Sequence, residues 1–348
     1  MIALGVFLHA VGGFAAGSFY IPFKKVRGWA WESYWFVGGV FSWIVAPLVI
    51  GYLTVPGLLS LLKNIEPACL FWTYLFGVLW GIGGLTFGLS MRYLGMSLGY
   101  AIALGFCAAF GTIIPPIFDG TFTDLLATTS GRVILAGVFV CLLGIAVCGW
   151  AGMCKEREMS GEQKRLAIKE FDFVKGLLVA GFAGVMSSCM AYGLAAGKPI
   201  AEAAVKASVK PLWQNSPVLV VVLLGGFTTN ALWCIILNIK NRSAANYIDG
   251  KTPLPTNYLF SALAGVTWYL QFMFYGMGTT KMGTYDFSSW TIHMAFIIAF
   301  SNIWALALNE WKGAGRRTVR LVVAGILIVV ASTIIVGAGN FLAQRPAG

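Results

Sequence analysis

Runs of about twenty apolar residues recur ten times along this chain. They lie at roughly 4–22, 33–54, 69–90, 96–118 and 131–151, then 174–196, 216–238, 257–278, 284–308 and 319–341. A helix of that length just spans the ~30 Å hydrocarbon layer of a bilayer. Backbone polar groups find no water there, so only helices and closed barrels cross it. The expected fold is an all-α membrane protein with ten transmembrane helices. Composition agrees, with 58% hydrophobic and 11% charged residues and a mean hydropathy of +0.80. A soluble domain of 348 residues would need a far larger charged surface.

Several other classes drop out on the same grounds. The net charge of +11 sits in short segments between the apolar runs, where it orients a chain against the anionic cytoplasmic leaflet. No nucleic-acid partner is expected. The seven cysteines include no C-x-x-C pair and read as small packing residues. The Gly-rich string WGIGGLTFG at 80–88 lacks the Lys-Ser/Thr of a phosphate loop and reads as a packing or hinge motif. No metal or cofactor is expected. The N-terminal run lacks the basic start of a signal peptide and is read as a retained first helix.

The longest polar interruption divides the ten runs five and five. The expected organisation is a first five-helix repeat at 1–153, a cytoplasmic linker at 154–173 and a second five-helix repeat at 174–348. An odd number of crossings per half inserts the halves in opposite orientations, giving two inverted five-helix repeats. A shift of 188 residues places Trp80 on Trp268 and Arg132 on Arg320, besides four glycine matches. The loops on one side hold 17 Lys and Arg against 7 on the other, which predicts that both termini face outward.

Ionisable groups inside the spans carry the chemical signal. Residues 284–311 hold Asp286 and His293 seven positions apart, nearly above one another on a continuous α-helix, with Ser289 and Trp290 between them. The other histidine of the chain, His9, also lies in an apolar run. Such groups are costly in lipid and are usually turned toward a cavity, an ion path or a substrate. This is the chemistry of a proton-coupled carrier, with Asp286 and His293 as proton carriers. Each residue has a structural alternative. Asp286 follows Thr284 by two residues and reads equally as a first-turn acid, favoured by the helix dipole by ~0.3–1 kcal/mol. His293 reads also as a neutral imidazole bonded to a backbone carbonyl. His9 heads the smooth run HAVGGFAAGSFY and is a ligand, a coupling group or a packing residue. Trp31 and Glu32 read as an interfacial anchor and a first-turn acid, with a gate pair between Glu32 and Lys24 or Lys25 as the alternative.

The strings SFYIPFKKVRGWAWESYWFVGG (18–39), WGIGGLTFGLSMRYLGMSLG (80–99), WYLQFMFYGMG (268–278), YDFSSWTIHMAF (285–296) and LNEWKGAGRR (308–317) resemble the L-rhamnose–proton symporter family, of the drug/metabolite transporter superfamily. KPIAEAA (198–204) is similar to its counterpart as well. The resemblance runs from about His9 to about Gly337. It implies a ten-helix carrier of the bacterial inner membrane, not an enzyme, that imports L-rhamnose with a proton. The alternative is a symporter for another sugar or small metabolite, driven by a proton or by sodium.

A deoxyhexose offers hydroxyls to amides and indole N–H groups, and apolar faces to aromatic rings. Trp268, Gln271, Phe272 and Tyr275 stand at i, i+3, i+4 and i+7, one helical face suited to that role. Ser289, Trp290 and His9 complete the expected substrate set. Tyr269 and Asn302 are neighbours whose facing the sequence leaves open. The competing reading of this face is packing against another helix, with Gln271 bonding across the interface.

Overall fold

The computed structural model describes residues 2–94, 96–158, 172–308, 311 and 313–343. Most of the expected 154–173 linker, together with Gly95, Glu310 and Arg345, lies outside the described residues. Ten long helices follow in chain order, which we number α1 (Ile2–Ser18), α2 (Trp31–Thr54), α3 (Pro67–Leu94), α4 (Met96–Phe118) and α5 (Thr129–Glu158), then α6 (Phe173–Ala196), α7 (Ser216–Lys240), α8 (Leu254–Thr279), α9 (Ser289–Ala307) and α10 (Arg316–Ala343). No strand occurs among the described residues.

Nine of the described helical stretches are long and apolar enough to cross a membrane. The helix outside that set is α8, whose 26 residues include Asn257, Ser261, Tyr269, Gln271 and Tyr275. The side chains that dilute its apolar character include two of the residues expected to meet a substrate.

The chain forms two compact units that interleave its halves. One comprises Met1–Phe14, Gly83–Ala191 and Gly278–Gly348, the other Ala15–Ile82 and Tyr192–Met277. In the first unit α5 and α10 pack along their whole length. Glycines make this approach possible. A Cβ on Gly137 or Gly144 would lie 2.5 Å from Val336 or Val329 of α10, and one on Gly325 2.5 Å from Cys148 of α5. The carboxylate of Glu158, at the end of α5, accepts hydrogen bonds from Gly315 N and Thr318 Oγ1, both at 2.6 Å, and so caps α10.

In the second unit α2 packs on α7. The backbones of α2 and α8 meet at Gly38 and Gly265, and those of α3 and α7 at Gly77 and Gly225. Next to α2, the GWAWES loop is fastened by polar side chains. Glu32 is buried and accepts from Ser243 Oγ at 2.5 Å and Asn241 Nδ2 at 3.0 Å. Asn257 bridges both backbone groups of Arg27. Glu32 is thus a first-turn acid of α2, as expected, but its carboxylate also joins the loop at 241–243.

Two segments depart locally from regular α-helix. In α2 the segment Phe41–Val45 is a π-turn, in which Ala46 N donates to Phe41 O. Pro47 follows, and its ring excludes the carbonyl of residue 43 from an ordinary α-helical bond, so the turn widens. The second departure corrects an expectation. The helix carrying His293 starts at Ser289, not at 284, because Gly283 adopts φ 74° and Gly283–Ser288 winds as a 3-10 helix. Asp286 therefore precedes α9, is not an acid of its first turn, and does not stack above His293 on one α-helical face. The side chain of Thr284 lies outside the described ones.

The close seam of α5 and α10 gives a direct test. Gly144→Val should destabilise the protein by at least ~1–3 kcal/mol through overpacking, seen as a lower thermal midpoint in detergent. Gly181→Ala, where an added Cβ meets nothing within 4 Å, should change that midpoint little.

Candidate functional site

The two histidines of the chain, 284 positions apart, come together in the first unit. Their ring centroids are 6.0 Å apart with an interplanar angle of 63°, and both side chains are buried. Helix α1 brings His9 from its middle turns and α9 brings His293 from its second turn. Gly278, at the end of α8, makes room for the pair. A Cβ there would lie 2.8–3.0 Å from the His9 ring atoms. The two imidazoles of the chain thus share one buried spot. The sequence assigns His9 to substrate and His293 to the proton, and only the structure reveals that they are neighbours.

Around this pair the other α9 candidates divide. Ser289 is fully buried, and its hydroxyl has no hydrogen-bond partner among the described residues. Trp290 is differently engaged. Its indole Nε1 donates to Cys107 O at 3.0 Å, and its ring lies against Gly111 of α4. That N–H is taken by a backbone carbonyl, so Trp290 locks α9 to α4. Thr291 adds a hydroxyl bond of 2.6 Å to Thr112 across the same interface. Asn302 turns its amide back to Ile298 O at 2.9 Å. Asp286 is partly exposed in the 3-10 turn, which packs on α10 and α4.

The second unit holds a different arrangement. Six aromatic rings close on one another. Phe19 meets Trp268 at 4.1 Å, Trp268 meets Phe272 at 6.0 Å, and Phe272 meets Trp80 at 5.4 Å. Trp80 then meets Trp43 at 6.0 Å, Trp43 meets Trp35 at 6.2 Å, and Trp35 returns to Phe19 at 6.3 Å. Most of these pairs are edge-to-face or tilted, the geometry that ring quadrupoles favour. Trp80 and Trp268, matched by the 188-residue shift, stand on either side of Phe272.

Beside the rings lies a cleft with Phe19, Phe23, Trp35, Trp43 and Trp268 as walls and Gly38, Gly39, Ser42, Ala264 and Gly265 completing it. As it stands it is narrow, with room for about one water molecule. Three polar atoms of the residues that line it, Ser42 Oγ, Trp43 Nε1 and Trp268 Nε1, are buried without a partner among the described residues, and the surface that the cleft presents is apolar. Each such donor costs ~1–3 kcal/mol relative to one that is bonded.

Helix α8 places the remaining candidates. Gln271, Phe272 and Tyr275 are all buried. Gln271 Nε2 has no hydrogen-bond partner among the described residues, and neither has the hydroxyl of the fully buried Tyr269. The sequence reading missed Trp35, Ser42, Trp43, Trp80 and Gly278. Pro47 within an apolar run was the available signal for Ser42 and Trp43.

Many long apolar helices with buried polar groups define a multi-pass membrane protein. A profile described as L-rhamnose-proton symport protein (RhaT) matches residues 1–342. An L-rhamnose-proton symporter of Cronobacter sakazakii is 42% identical over 342 residues, covering 97% of this chain and 98% of the relative. Those of Yersinia pestis and Yersinia pseudotuberculosis are 41% identical with the same coverage. The chain belongs to the L-rhamnose-proton symport protein family.

The hydrogen bond of Trp290 yields a prediction. Trp290→Phe should lower stability by ~0.5–1.5 kcal/mol, the worth of one hydrogen bond, and leave the KM for sugar within twofold. Thermal unfolding and uptake kinetics on the same preparation check this, and a large rise in KM would return Trp290 to the substrate contacts.

Proposed function

We propose that this protein imports L-rhamnose together with a proton across the bacterial inner membrane, as a transporter and not an enzyme. The observation that carries this is family membership over residues 1–342. One proton moving down ~100 mV contributes ~2.3 kcal/mol. At ~1.4 kcal/mol per decade that sustains roughly 50-fold accumulation without ATP.

The architecture we infer is ten crossings, with α8 as the crossing that is least apolar because it carries the substrate face. The chain runs as two inverted five-helix repeats, 1–153 and 174–348, joined through the cytoplasmic segment 154–173. What supports the repeat is that helices matched by the 188-residue shift pack on one another, α2 on α7 and α5 on α10. Both termini lie on the periplasmic side, on the basic asymmetry of the loops. The sugar is held by Trp268, Gln271, Phe272 and Tyr275. The proton is carried by the His9–His293 pair and Asp286, and the proximity of the two imidazoles supports a shared role.

L-Rhamnose added to lightly buffered vesicles or cells making this protein should raise external pH, and a protonophore should abolish accumulation. Uptake that follows sodium and ignores pH would replace the proton by sodium. Under the same assay His293→Gln should still exchange labelled for unlabelled sugar but fail to accumulate it. Asp286→Asn behaves alike if the carboxylate is part of the relay, and accumulates sugar normally if it is not. Gln271→Ala should weaken exchange and net uptake together, by roughly tenfold for one lost hydrogen bond.

Orientation is checked separately. A single cysteine at the exposed Ala244, in a cysteine-free background, should resist an impermeant thiol reagent in intact cells and react after permeabilisation. Labelling of intact cells would invert the topology.

A further inference from the structure

We propose that the cleft beside the widened turn of α2 is the sugar subsite, with Trp43 and Ser42 binding sugar hydroxyls and Trp268 offering the ring on which the pyranose stacks. This rests on the reading that the cargo is a pyranose, and it adds α2 to a site that the sequence confines to α1, α8 and α9. Three of the residues that line it carry buried polar atoms without partners among the described residues, behind a cleft surface that is apolar as it stands. Ser42 is 1% and Trp43 4% exposed, and Ser42 Oγ, Trp43 Nε1 and Trp268 Nε1 all lack a hydrogen-bond partner among the described residues while lining one cleft. Trp35, which lines the same cleft, is different, because its Nε1 donates to Asn230 Oδ1 at 3.2 Å. Of the three indoles that line the cleft, Trp43 and Trp268 thus keep an N–H without a partner among the described residues, and Trp35 does not.

The backbone supports the same assignment. The π-turn at Phe41–Val45 sets the directions of Ser42 and Trp43, and such turns concentrate at functional sites. Gly39 keeps the Trp43 ring in place, since a Cβ there would lie 2.8 Å from it. Depth is also right. Trp43 stands about 18 Å from the start of α2 and Trp268 about 21 Å from the start of α8, at 1.5 Å per residue. Both distances fall near the middle of a ~30 Å hydrocarbon layer, where carriers built from repeats hold their substrates. Indole faces stack on the C–H faces of a pyranose, and indole N–H and serine hydroxyl groups bond its oxygens. Because the cleft holds about one water as it stands, a sugar enters when a wall ring, Trp35 or Trp268, swings aside.

The test is equilibrium binding of radiolabelled L-rhamnose to the purified full-length protein, with a panel of unlabelled pyranoses as competitors. Trp43→Phe keeps a ring and removes the N–H, and should weaken binding about tenfold, as should Ser42→Ala. The number of protons moved per sugar should not change in either variant. Trp29→Phe is the control. Its Nε1 is also buried without a partner among the described residues, but it lies outside the cleft, so binding should match wild type. If Trp43→Phe does not fold, Ser42→Ala alone decides. The subsite is overturned if both cleft variants bind as wild type does, or if Trp29→Phe loses as much as they do. A wild-type protein that ignores L-rhamnose but binds another pyranose, weakened by Trp43→Phe, overturns the rhamnose reading and keeps the subsite. Binding of no pyranose at all removes both.

Discussion

Helices that share a bilayer gain nothing from withdrawing apolar surface from water, so close backbone packing has to hold them together. In this protein glycine provides that approach at defined places. Gly137, Gly144 and Gly325 close α5 on α10 in one unit, and Gly38 with Gly265 and Gly77 with Gly225 close the helices of the other. A side chain at any of these positions would collide with a neighbouring helix. Both candidate loci depend on this close packing. Gly278 admits the His9 ring, and Gly38, Gly39 and Gly265 form the floor of the aromatic cleft.

Against so tight a background the polar groups fall into two kinds. Most are committed to a partner, as Trp290 is to Cys107, Thr112 to Thr291 and Glu32 to Ser243 and Asn241. These bonds fix helix positions and are poor candidates for binding anything that must leave again. Others, such as Ser42, Trp43, Trp268 and Gln271, keep a buried donor without a partner among the described residues. Since a buried orphan destabilises the fold, its persistence in a cleft points to a ligand that completes it.

The sequence made the helices legible because length and hydropathy are local properties that packing does not alter. It also identified α8 as the helix with a polar and aromatic face, on which Gln271 and Phe272 are buried and Trp268 is half-buried. What it could not contain was the meeting of distant positions. His9 and His293 are far apart in the chain, and no local pattern brings their rings to 6.0 Å. Helix phase was the second loss. The heptad relation of Asp286 and His293 assumed α-helix throughout, whereas Gly283 and a 3-10 turn shift Asp286 off that face. The π-turn of α2 was hidden for the same reason, although Pro47 foreshadowed it.

The modest number of orphaned donors also fits the work of a carrier. A site that holds its cargo too well cannot release it, so binding has to be favourable enough to load and weak enough to unload. Three hydrogen bonds at ~1 kcal/mol each and one stacked ring of ~1 kcal/mol sum to about 4 kcal/mol. The cost of immobilising the sugar is subtracted from that sum, so these contacts alone hold it no more tightly than ~1 mM. One further hydrogen bond, such as one from Gln271, would tighten it by roughly tenfold or less. An affinity between micromolar and millimolar lets a proton gradient worth ~2.3 kcal/mol per ~100 mV shift the loaded fraction appreciably. Had the cleft been lined with charged groups, each bond would be worth ~1.5–3 kcal/mol, and the same gradient could scarcely empty it.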